Sequence, residues 1–227
     1  MSVELDLPDL SSVPAAGSPL LDLLRPSVGV IARNLWRTTE HHRDRIPDGR
    51  CILAVNHVGL LDGPLVVALN QDAQAMAKKE LWKVKPLGHF LDAVGQVPID
   101  RWNPDPGSIR RCIAVLQAER RLVIFPEQHR GNGDFAQFKR GTAYLAMVTG
   151  APVVPVALIG AATTGTGIRS VPKPRSHVDV VYGNKVDVAP KAWPRTAGEV
   201  ADLTAVLQLA CQQNLQQAQQ ELGLVLH

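Results

Sequence analysis

Cysteine is scarce in this sequence. The three cysteines, Cys51, Cys112 and Cys211, lie far apart among 227 residues, in apolar or helical surroundings. An odd number of isolated cysteines is not typical of a disulfide framework and favours reduced, buried thiols. The N-terminal segment is acidic and polar, and it does not resemble a signal peptide. We therefore expect a cytoplasmic protein.

The sequence also lacks an apolar run that would cross a membrane. Its longest uncharged stretch, residues 141–168, contains Pro152 and Pro155 with glycines on either side. Proline and glycine interrupt helices, so this stretch predicts a helix end, a buried strand and a loop.

A strong excess of one charge is absent as well. The 24 basic and 21 acidic residues give a net charge of +3. This weak excess does not suggest a nucleic-acid-binding protein. The basic residues nevertheless occur in clusters, for example at 78–85, 110–111 and 139–140. Most such clusters are solvated surface, and the remainder suit an anionic substrate or an anionic membrane surface.

Neither a flexible linker nor an internal repeat divides the chain. Residues 1–227 therefore predict a single domain, of which residues 1–17 form a mobile arm. Residues 18–37 predict an amphipathic helix with arginines beside its apolar face, which consists of Leu20, Leu21, Leu24, Val28, Ile31 and Leu35. Such a helix lies on a membrane interface or packs against its own domain, and the sequence leaves both open.

The rest of the chain alternates between two periodicities. Apolar or alternating segments predict strands at 51–55, 74–77, 96–99, 121–125, 153–159 and 177–182. Helical spacing predicts helices over 63–70, 79–93, 107–118, 140–148 and 196–223. This pattern predicts an α/β fold with a largely parallel or mixed sheet, covered by helices on both faces.

Residues 38–50 predict a polar connection that ends in a turn. It contains His41 and His42, but further ligands at a suitable spacing are missing. We therefore expect solvated loop histidines and no metal site.

The segment VNHVGLLD, residues 55–62, ends a buried strand on His57 and places Asp62 five positions later. Histidine accepts a proton from a hydroxyl near neutral pH, and a carboxylate orients it. Simpler roles stay open at this point: a strand-end histidine, and a helix cap at Asp62 before Pro64. No serine or cysteine nucleophile has a recognisable elbow, which favours direct attack by a substrate hydroxyl.

The same segment resembles the N-H-x-x-x-x-D motif of the glycerolipid acyltransferases, the 1-acylglycerol-3-phosphate acyltransferase family. Three more blocks follow in the family's order: VGQVPIDR (94–101), VIFPEQHRG (123–131) and APVVPVAL (151–158). The resemblance covers roughly residues 50–160. It implies a glycerol-3-phosphate acyltransferase-like fold and transfer of a fatty acyl group to a lysophospholipid hydroxyl.

The resemblance also implies roles for residues. His57 would deprotonate the acceptor, and Asp62 would orient His57. The expected substrate-binding residues are Glu127, Arg130, Arg101, Lys78, Lys139 and Gly141. The acyl donor would be acyl-CoA or acyl-carrier protein, and neither a cofactor nor a metal is expected. The expected location is cytoplasmic, with peripheral contact to the inner face of the membrane and no contact with nucleic acid.

One block departs from the family pattern. The family's Gly-Thr between Glu and Arg is here Gln128-His129, and these bulky polar residues are expected to alter acceptor specificity. The alternatives are therefore the same transfer to a different lipid or specialised-metabolite acceptor, and an inactive lipid-binding protein on this fold. Metal-dependent hydrolysis by His57 and Asp62 lacks a third ligand.

Overall fold

The computed structural model describes residues 6–14, 17, 19–70, 72–161 and 173–223. The strands are β1 (Thr38–His41), β2 (Cys51–Val55), β3 (Ala73–Lys78), β4 (Val97–Ile99), β5 (Arg121–Ile124), β6 (Val153–Ile159) and β7 (Val178–Tyr182). The α-helices are α1 (Pro19–Leu35), α2 (Asp62–Leu69), α3 (Lys85–Ala93), α4 (Pro106–Gln117), α5 (Gly141–Thr149) and α6 (Ala197–Leu222).

The described strands form one seven-stranded sheet in the order β1-β7-β6-β2-β5-β3-β4. The five strands from β6 to β4 are parallel to one another. β7 pairs antiparallel with β6, and β1 pairs parallel with β7. Every residue of the central strands β2 and β6 is buried, as expected for strands covered on both faces. The predicted fold class is confirmed.

Alternate residues of β2 point to opposite faces of the sheet. Ile52 and Ala54 pack in a core layer with α4, α5 and α6, and we call this side the α6 face. Cys51, Leu53 and Val55 pack in a second layer with α1, α2 and the residue that follows α3, and we call this side the α2 face.

Residues 38–50 were predicted as a polar connection, but the first four of them form strand β1. Four residues at a sheet edge, three half-buried and one exposed, are too few for a clear alternation of apolar and polar positions. His41 Nε2 lies 2.7 Å from Asp179 Oδ1, and His42 Nε2 lies 3.1 Å from Glu221 Oε1. Both histidines therefore have acidic partners. The loop prediction was wrong for His41, which ends β1, whereas His42 lies in the connection that follows β1.

The segment predicted as one helical region over 79–93 consists of two parts. A 3₁₀ turn, Lys79–Lys83, is followed by α3 after Val84. Pro86 lies in the first turn of α3, where a proline needs no amide partner.

The N-terminal segment contacts the domain where it is described. Asp6 Oδ2 accepts a hydrogen bond of 2.9 Å from the amide of Trp193, and Leu7 and Leu10 pack against the core of the α6 face. The mobility of residues 1–17 stays a prediction.

Helix α1 packs against α2, as one of its two interpretations expected. Gly29 and Ala32 are buried at this contact, whereas Leu23 and Ile31 are exposed. The predicted apolar face also included Leu20, Leu21, Leu24 and Val28, which lie outside the described side chains. Of the helices in the described part, none has the length and apolar character to cross a membrane.

Candidate active site

Three strand ends carry the candidate functional residues to one edge of the sheet. His57 follows β2, Glu127 follows β5, and Arg101 follows β4. These strands are parallel, so their carboxyl ends meet at the same edge, where ligands bind in open α/β sheets.

Asn56 fixes the end of β2 against β6. Its Nδ2 donates to the Leu158 carbonyl at 3.0 Å, and its Oδ1 accepts from the Leu158 amide at 2.7 Å. The side chain is fully buried. The sequence marked this residue only as polar, although an asparagine directly after a buried strand is a signal for such a bridge.

His57 and Asp62 form a direct contact, with 2.8 Å between Nδ1 and Asp62 Oδ2. The same oxygen accepts the amides of Val58 and Gly59, each at 2.8 Å. Asp62 is fully buried, whereas the His57 side chain keeps 15% of its surface exposed. With Nδ1 directed at Asp62, Nε2 is the nitrogen available to a substrate.

Asp62 is not the cap of α2, so that simpler interpretation was wrong. The capping position is Leu61, and Asp62 is the first helical residue. Its carboxylate turns back to the preceding loop and holds the backbone of that loop together with His57. Asp62 Oδ1 is buried and has no hydrogen-bond partner among the described residues.

Glu127 supports the backbone on both sides of the site. Its Oε2 accepts the His57 amide at 2.7 Å, and its Oε1 accepts the Phe135 amide at 3.0 Å. Burial raises the pKa of Glu127, and the nearby negative charge of Asp62 acts in the same direction. With both oxygens on backbone amides, Glu127 positions the His57 turn.

The loop after β5 wraps around His57. The Phe125 ring lies 4.4 Å from the imidazole, measured between ring centroids, and the Gly131 amide donates to the His57 carbonyl at 3.1 Å. Gly133 has φ +67°, and a Cβ there would lie 2.3 Å from Val58 Cγ1. Only glycine fits this close approach.

Arg101 and Gln128 hold each other through two hydrogen bonds. Arg101 Nη1 donates to the Gln128 carbonyl at 2.6 Å, and Gln128 Nε2 donates to the Arg101 carbonyl at 2.8 Å. Gln128 has φ +66°, the left-handed region that favours glycine. The family's glycine at this position therefore fits the backbone, and the glutamine adds a tie to Arg101.

Arg130 lies in the field of the other site charges. Burial lowers its pKa, the positive charge of Arg101 lowers it further, and the negative charge of Asp62 raises it. The two guanidinium groups and the buried carboxylate therefore belong to one site.

Asp100 lies beside Arg101 at one of these strand ends, and the sequence assigned it no role of its own. Its carboxylate accepts hydrogen bonds from Lys79 Nζ, from Asn103 Nδ2 at 2.9 Å and from the Trp102 amide at 2.9 Å. The hydrogen bond from Lys79 is the main cause that holds the pKa of Asp100 well below its usual range. Asp100 thereby fixes the corner that carries Arg101.

The remaining predicted residues lie around this centre. Lys78 is exposed at the end of β3. Lys139 is exposed too, but its amide donates to the Pro126 carbonyl at 2.9 Å. Gly141 begins α5 with open space where a Cβ would lie. The exposed His129 ring lies 5.8 Å from the ring of Trp102.

Within the described ranges, no group of three or more His, Cys, Asp or Glu side chains is arranged to hold a metal ion. The described groups that come together at the site are a histidine with a buried carboxylate and two arginines beside it. The sequence located His57, Asp62, Glu127, Arg101 and Arg130, and the fold brings them to one edge.

Comparisons with known proteins found that this chain is similar to acyltransferases. The family model described as Acyltransferase matches residues 37–159. A 1-acyl-sn-glycerol-3-phosphate acyltransferase of Bacillus subtilis is 35% identical over 123 residues, which are 53% of this chain and 61% of that protein. One from Streptococcus pneumoniae is 31% identical over 170 residues, which are 71% of this chain and 61% of that protein.

A chloroplastic 1-acyl-sn-glycerol-3-phosphate acyltransferase of Brassica napus is 29% identical and covers 62% of this chain. This chain spans between 43% and 61% of the lengths of these three relatives. The crystal structure of the 1-acyl-sn-glycerophosphate acyltransferase PlsC from Thermotoga maritima superposes with a TM-score of 0.61 at 20% identity, over 88% of this chain and 78% of that one. This likeness shows the shared fold.

Proposed function

The chain belongs to the acyltransferase family, and on that premise we propose that it transfers a fatty acyl group from an acyl thioester to a hydroxyl of a lysophospholipid such as 1-acylglycerol-3-phosphate. The observation that carries the proposal is the 2.8 Å contact between His57 Nδ1 and Asp62 Oδ2 at the carboxyl edge of the sheet. It combines an accessible base with a buried carboxylate that orients it.

In the proposed reaction, neutral His57 donates its Nδ1 proton in a hydrogen bond to Asp62, so that Nε2 is the basic nitrogen. Nε2 removes the proton from the acceptor hydroxyl while the oxygen attacks the thioester carbonyl carbon. The carbon–sulfur bond then breaks, and the imidazolium returns the proton to the departing thiolate. One ester bond forms for each thioester bond broken.

The tetrahedral intermediate needs donors for its oxyanion. The amides of His57, Val58 and Gly59 already donate to Glu127 and Asp62, so they are not assigned this role. A cationic side chain at the rim suits it better, and the candidate is Lys78, which the sequence analysis expected to bind substrate.

Arg101 and Arg130 are proposed to hold the phosphate of the acceptor. Guanidinium groups bind phosphate through parallel hydrogen bonds, and two of them in one site concentrate positive charge. Burial lowers the pKa of Arg130, which is a cost to its positive charge; the negative charge of Asp62 acts against this cost, and the positive charge of Arg101 adds to it. A bound phosphate would offset that cost.

A second candidate is the same transfer to a different lipid or a specialised-metabolite acceptor. The Gln128-His129 pair favours it, since Gln128 is hydrogen-bonded to Arg101 and His129 lies beside Trp102. The further alternative, an inactive lipid-binding protein, is disfavoured by the intact contact between His57 and Asp62. The proposed acyl donor is acyl-CoA or acyl-carrier protein. The proposed location of the protein is at the membrane surface, as a peripheral protein.

Replacing His57 by Ala tests the mechanism. We expect a loss of about 10²- to 10⁴-fold in transfer rate, the usual contribution of a general base, with an unchanged melting temperature. His89→Ala, an exposed histidine on α3, is the matched control. Undiminished transfer by the His57 variant would sink the mechanism.

A panel of acceptors, each offered with acyl-CoA and with acyl-carrier protein, tests the substrate class by mass spectrometry of the products. An acylated lysophosphatidate supports the first candidate, and another acylated acceptor supports the second. Lipid binding without any acylated product would contradict both acyl-transfer candidates and favour the inactive lipid-binding protein.

A further inference from the structure

We propose that α3 carries a docking surface for a lipid bilayer that contains anionic lipids. We call this surface the α3 patch; it consists of Val84, Leu87 and Phe90 with Lys83 and Lys85. Docking itself is independent of catalysis, but its purpose, delivery of a membrane acceptor to His57, rests on the proposed function.

The apolar part of the α3 patch is exposed. Val84, Leu87 and Phe90 keep 54%, 36% and 59% of their surface exposed. Val84 directly precedes α3, and Leu87 and Phe90, three residues apart, lie on neighbouring turns of the helix. Side chains of this size, arranged in one strip at the protein surface, mark an interaction site more often than scattered apolar residues do.

The charges of the α3 patch complement an anionic surface. Lys83 and Lys85 are both exposed and flank Val84 in the sequence. Among the ion pairs between described residues, none involves either lysine. Asp92, the nearest acidic residue on α3, accepts a hydrogen bond of 2.7 Å from Trp82 Nε1. Lysines beside an apolar strip are the composition of a helix that lies in the membrane interface.

Helix α3, which carries the patch, is held in place by the 3₁₀ turn that precedes it. The Trp82–Asp92 hydrogen bond fastens the 3₁₀ turn Lys79–Lys83 to the end of α3. Gly88 is buried, and a Cβ there would lie 2.8 Å from the Trp82 carbonyl, so the turn and the helix are in close contact. The strip is therefore presented on a fixed element and need not fold on binding.

The position of α3 links the patch to the candidate site. The turn that leads into α3 leaves the carboxyl end of β3, at the same edge as His57. Within this turn, Lys79 pairs with Asp100, which fixes the corner that carries Arg101. A bilayer on the α3 patch would therefore lie beside the edge where an acceptor must enter.

Helix α1 also carries exposed apolar residues. Leu23, Val30 and Ile31 of α1 are exposed. Ala32 of α1 and Val94, directly after α3, pack in the same core layer. Exposed apolar side chains are therefore present on α1 as well as on α3.

The features of the α3 patch favour a bilayer over a second copy of this chain. Three apolar side chains fall short of the roughly 800 Å² per partner that a stable dimer buries. In a two-fold interface Lys83 and Lys85 would also face their own copies, which like charges oppose.

Sedimentation with vesicles tests the proposal on the full chain, without donor or acceptor. We expect the protein to bind phosphatidylcholine vesicles with about one-third phosphatidylglycerol at least about tenfold better than phosphatidylcholine alone. Leu87→Ser with Phe90→Ser should lower binding to the anionic vesicles at least about tenfold. Lys83→Gln with Lys85→Gln should remove most of the preference for anionic lipid.

The matched control is Val206→Ser with Leu209→Ser on α6, two residues that are each 54% exposed on the other face. It should bind vesicles as the wild type does. Wild-type binding by the Leu87/Phe90 variant, or an equal loss in the control, would overturn the proposal. If the Leu87/Phe90 variant bound vesicles normally but transferred the acyl group more slowly only when acyl-carrier protein was the donor, the result would overturn the proposal in favour of a protein partner.

Two readouts separate this inference from the proposed function. His57→Ala should bind vesicles like the wild type, and the Leu87/Phe90 variant should acylate a water-soluble short-chain acceptor at the wild-type rate. A wild-type protein that acylates an acceptor but does not bind the anionic vesicles would be a failure of this inference alone. A wild-type protein that binds the vesicles but acylates none of the acceptors would be a failure of the proposed function alone.

Discussion

Glu127 shows how a residue can lie in a candidate site and act on the backbone. Its two oxygens accept the amides of His57 and Phe135, so the carboxylate joins the turn after β2 to the loop after β5. Asp62 has a similar role, since one of its oxygens accepts two amides and contacts His57. Of the site's carboxylates, these two hold the base in place.

Replacing Glu127 by Gln should reduce the pH dependence of stability. Burial raises the pKa of Glu127, so the folded protein binds this proton more tightly than the unfolded chain does. The resulting stability is present below the unfolded pKa, near 4.5, and is lost as the pH rises through the folded pKa. From about pH 4 to pH 7, the wild type should therefore lose free energy of unfolding relative to the variant.

Urea denaturation at several pH values measures this difference. Glu119→Gln, which changes an exposed glutamate, is the control and should follow the wild type. The prediction would be contradicted if the difference in free energy of unfolding between the wild type and the Glu127 variant stayed constant with pH.

At the scale of elements, the site depends on the contact between two loop corners. One corner, after β4, is held by Asp100, and the other, after β5, is held by Glu127. Arg101 and Gln128 join the two corners through reciprocal hydrogen bonds. The orientation of Arg101 therefore depends on a residue from a different strand end.

Shortening Gln128 to Asn should weaken acceptor binding and spare the chemical step. Asn tolerates the left-handed backbone at this position but does not reach the Arg101 carbonyl. Loss of one hydrogen bond predicts a rise of about 3- to 10-fold in KM for a phosphate-bearing acceptor, with kcat within about twofold. Steady-state kinetics with the acceptor identified from the panel measures both constants.

Gln128→Gly is the companion variant, because it removes the same hydrogen bond while relaxing the backbone. It should raise KM to the same extent and leave the melting temperature unchanged or higher. A fall in kcat at constant KM in both variants would refute a positioning role for Gln128.

At the scale of the whole molecule, a sheet covered on both faces carries its site at one edge. The α6 face is covered by α4, α5 and the long α6, whose first turn has a capping box formed by Thr196 and Glu199. On the α2 face, α1 is joined to the domain largely through α2. The close approach of these two helices depends on Gly29.

Replacing Gly29 by Ala should destabilise the protein by about 1–3 kcal/mol, the usual cost of overpacking. A Cβ there would lie 2.9 Å from the Ala68 carbonyl, a backbone atom that moves only with α2. This cost exceeds the gain of up to about 1 kcal/mol in helix propensity. Thermal or urea denaturation measures the change. Ser27→Ala on the exposed side of α1 is the control and should be neutral or slightly stabilising. An equal gain in stability for Gly29→Ala would contradict the close packing of α1 against α2.

Much of the fold could be predicted because burial dictates composition. The runs CILAV and VVPVALI are buried at every position, and buried parallel strands leave little room for other residue types. Strand β1 was missed, because a four-residue edge strand without a fully buried residue needs neither apolar nor alternating positions. Its pairing with β7 decides that it is a strand.

The sequence by itself determined which groups are candidates for the proposed chemistry, through short motifs such as NHVGLLD and VIFPEQHRG. Motifs of this kind have fixed spacing because their members follow a strand end directly. Only the tertiary structure decided what each member contacts: Asp62 turns back to its own loop, Glu127 binds the His57 amide, and Gln128 holds Arg101. Contacts between strand ends far apart in the chain depend on strand order and register, which no local pattern contains.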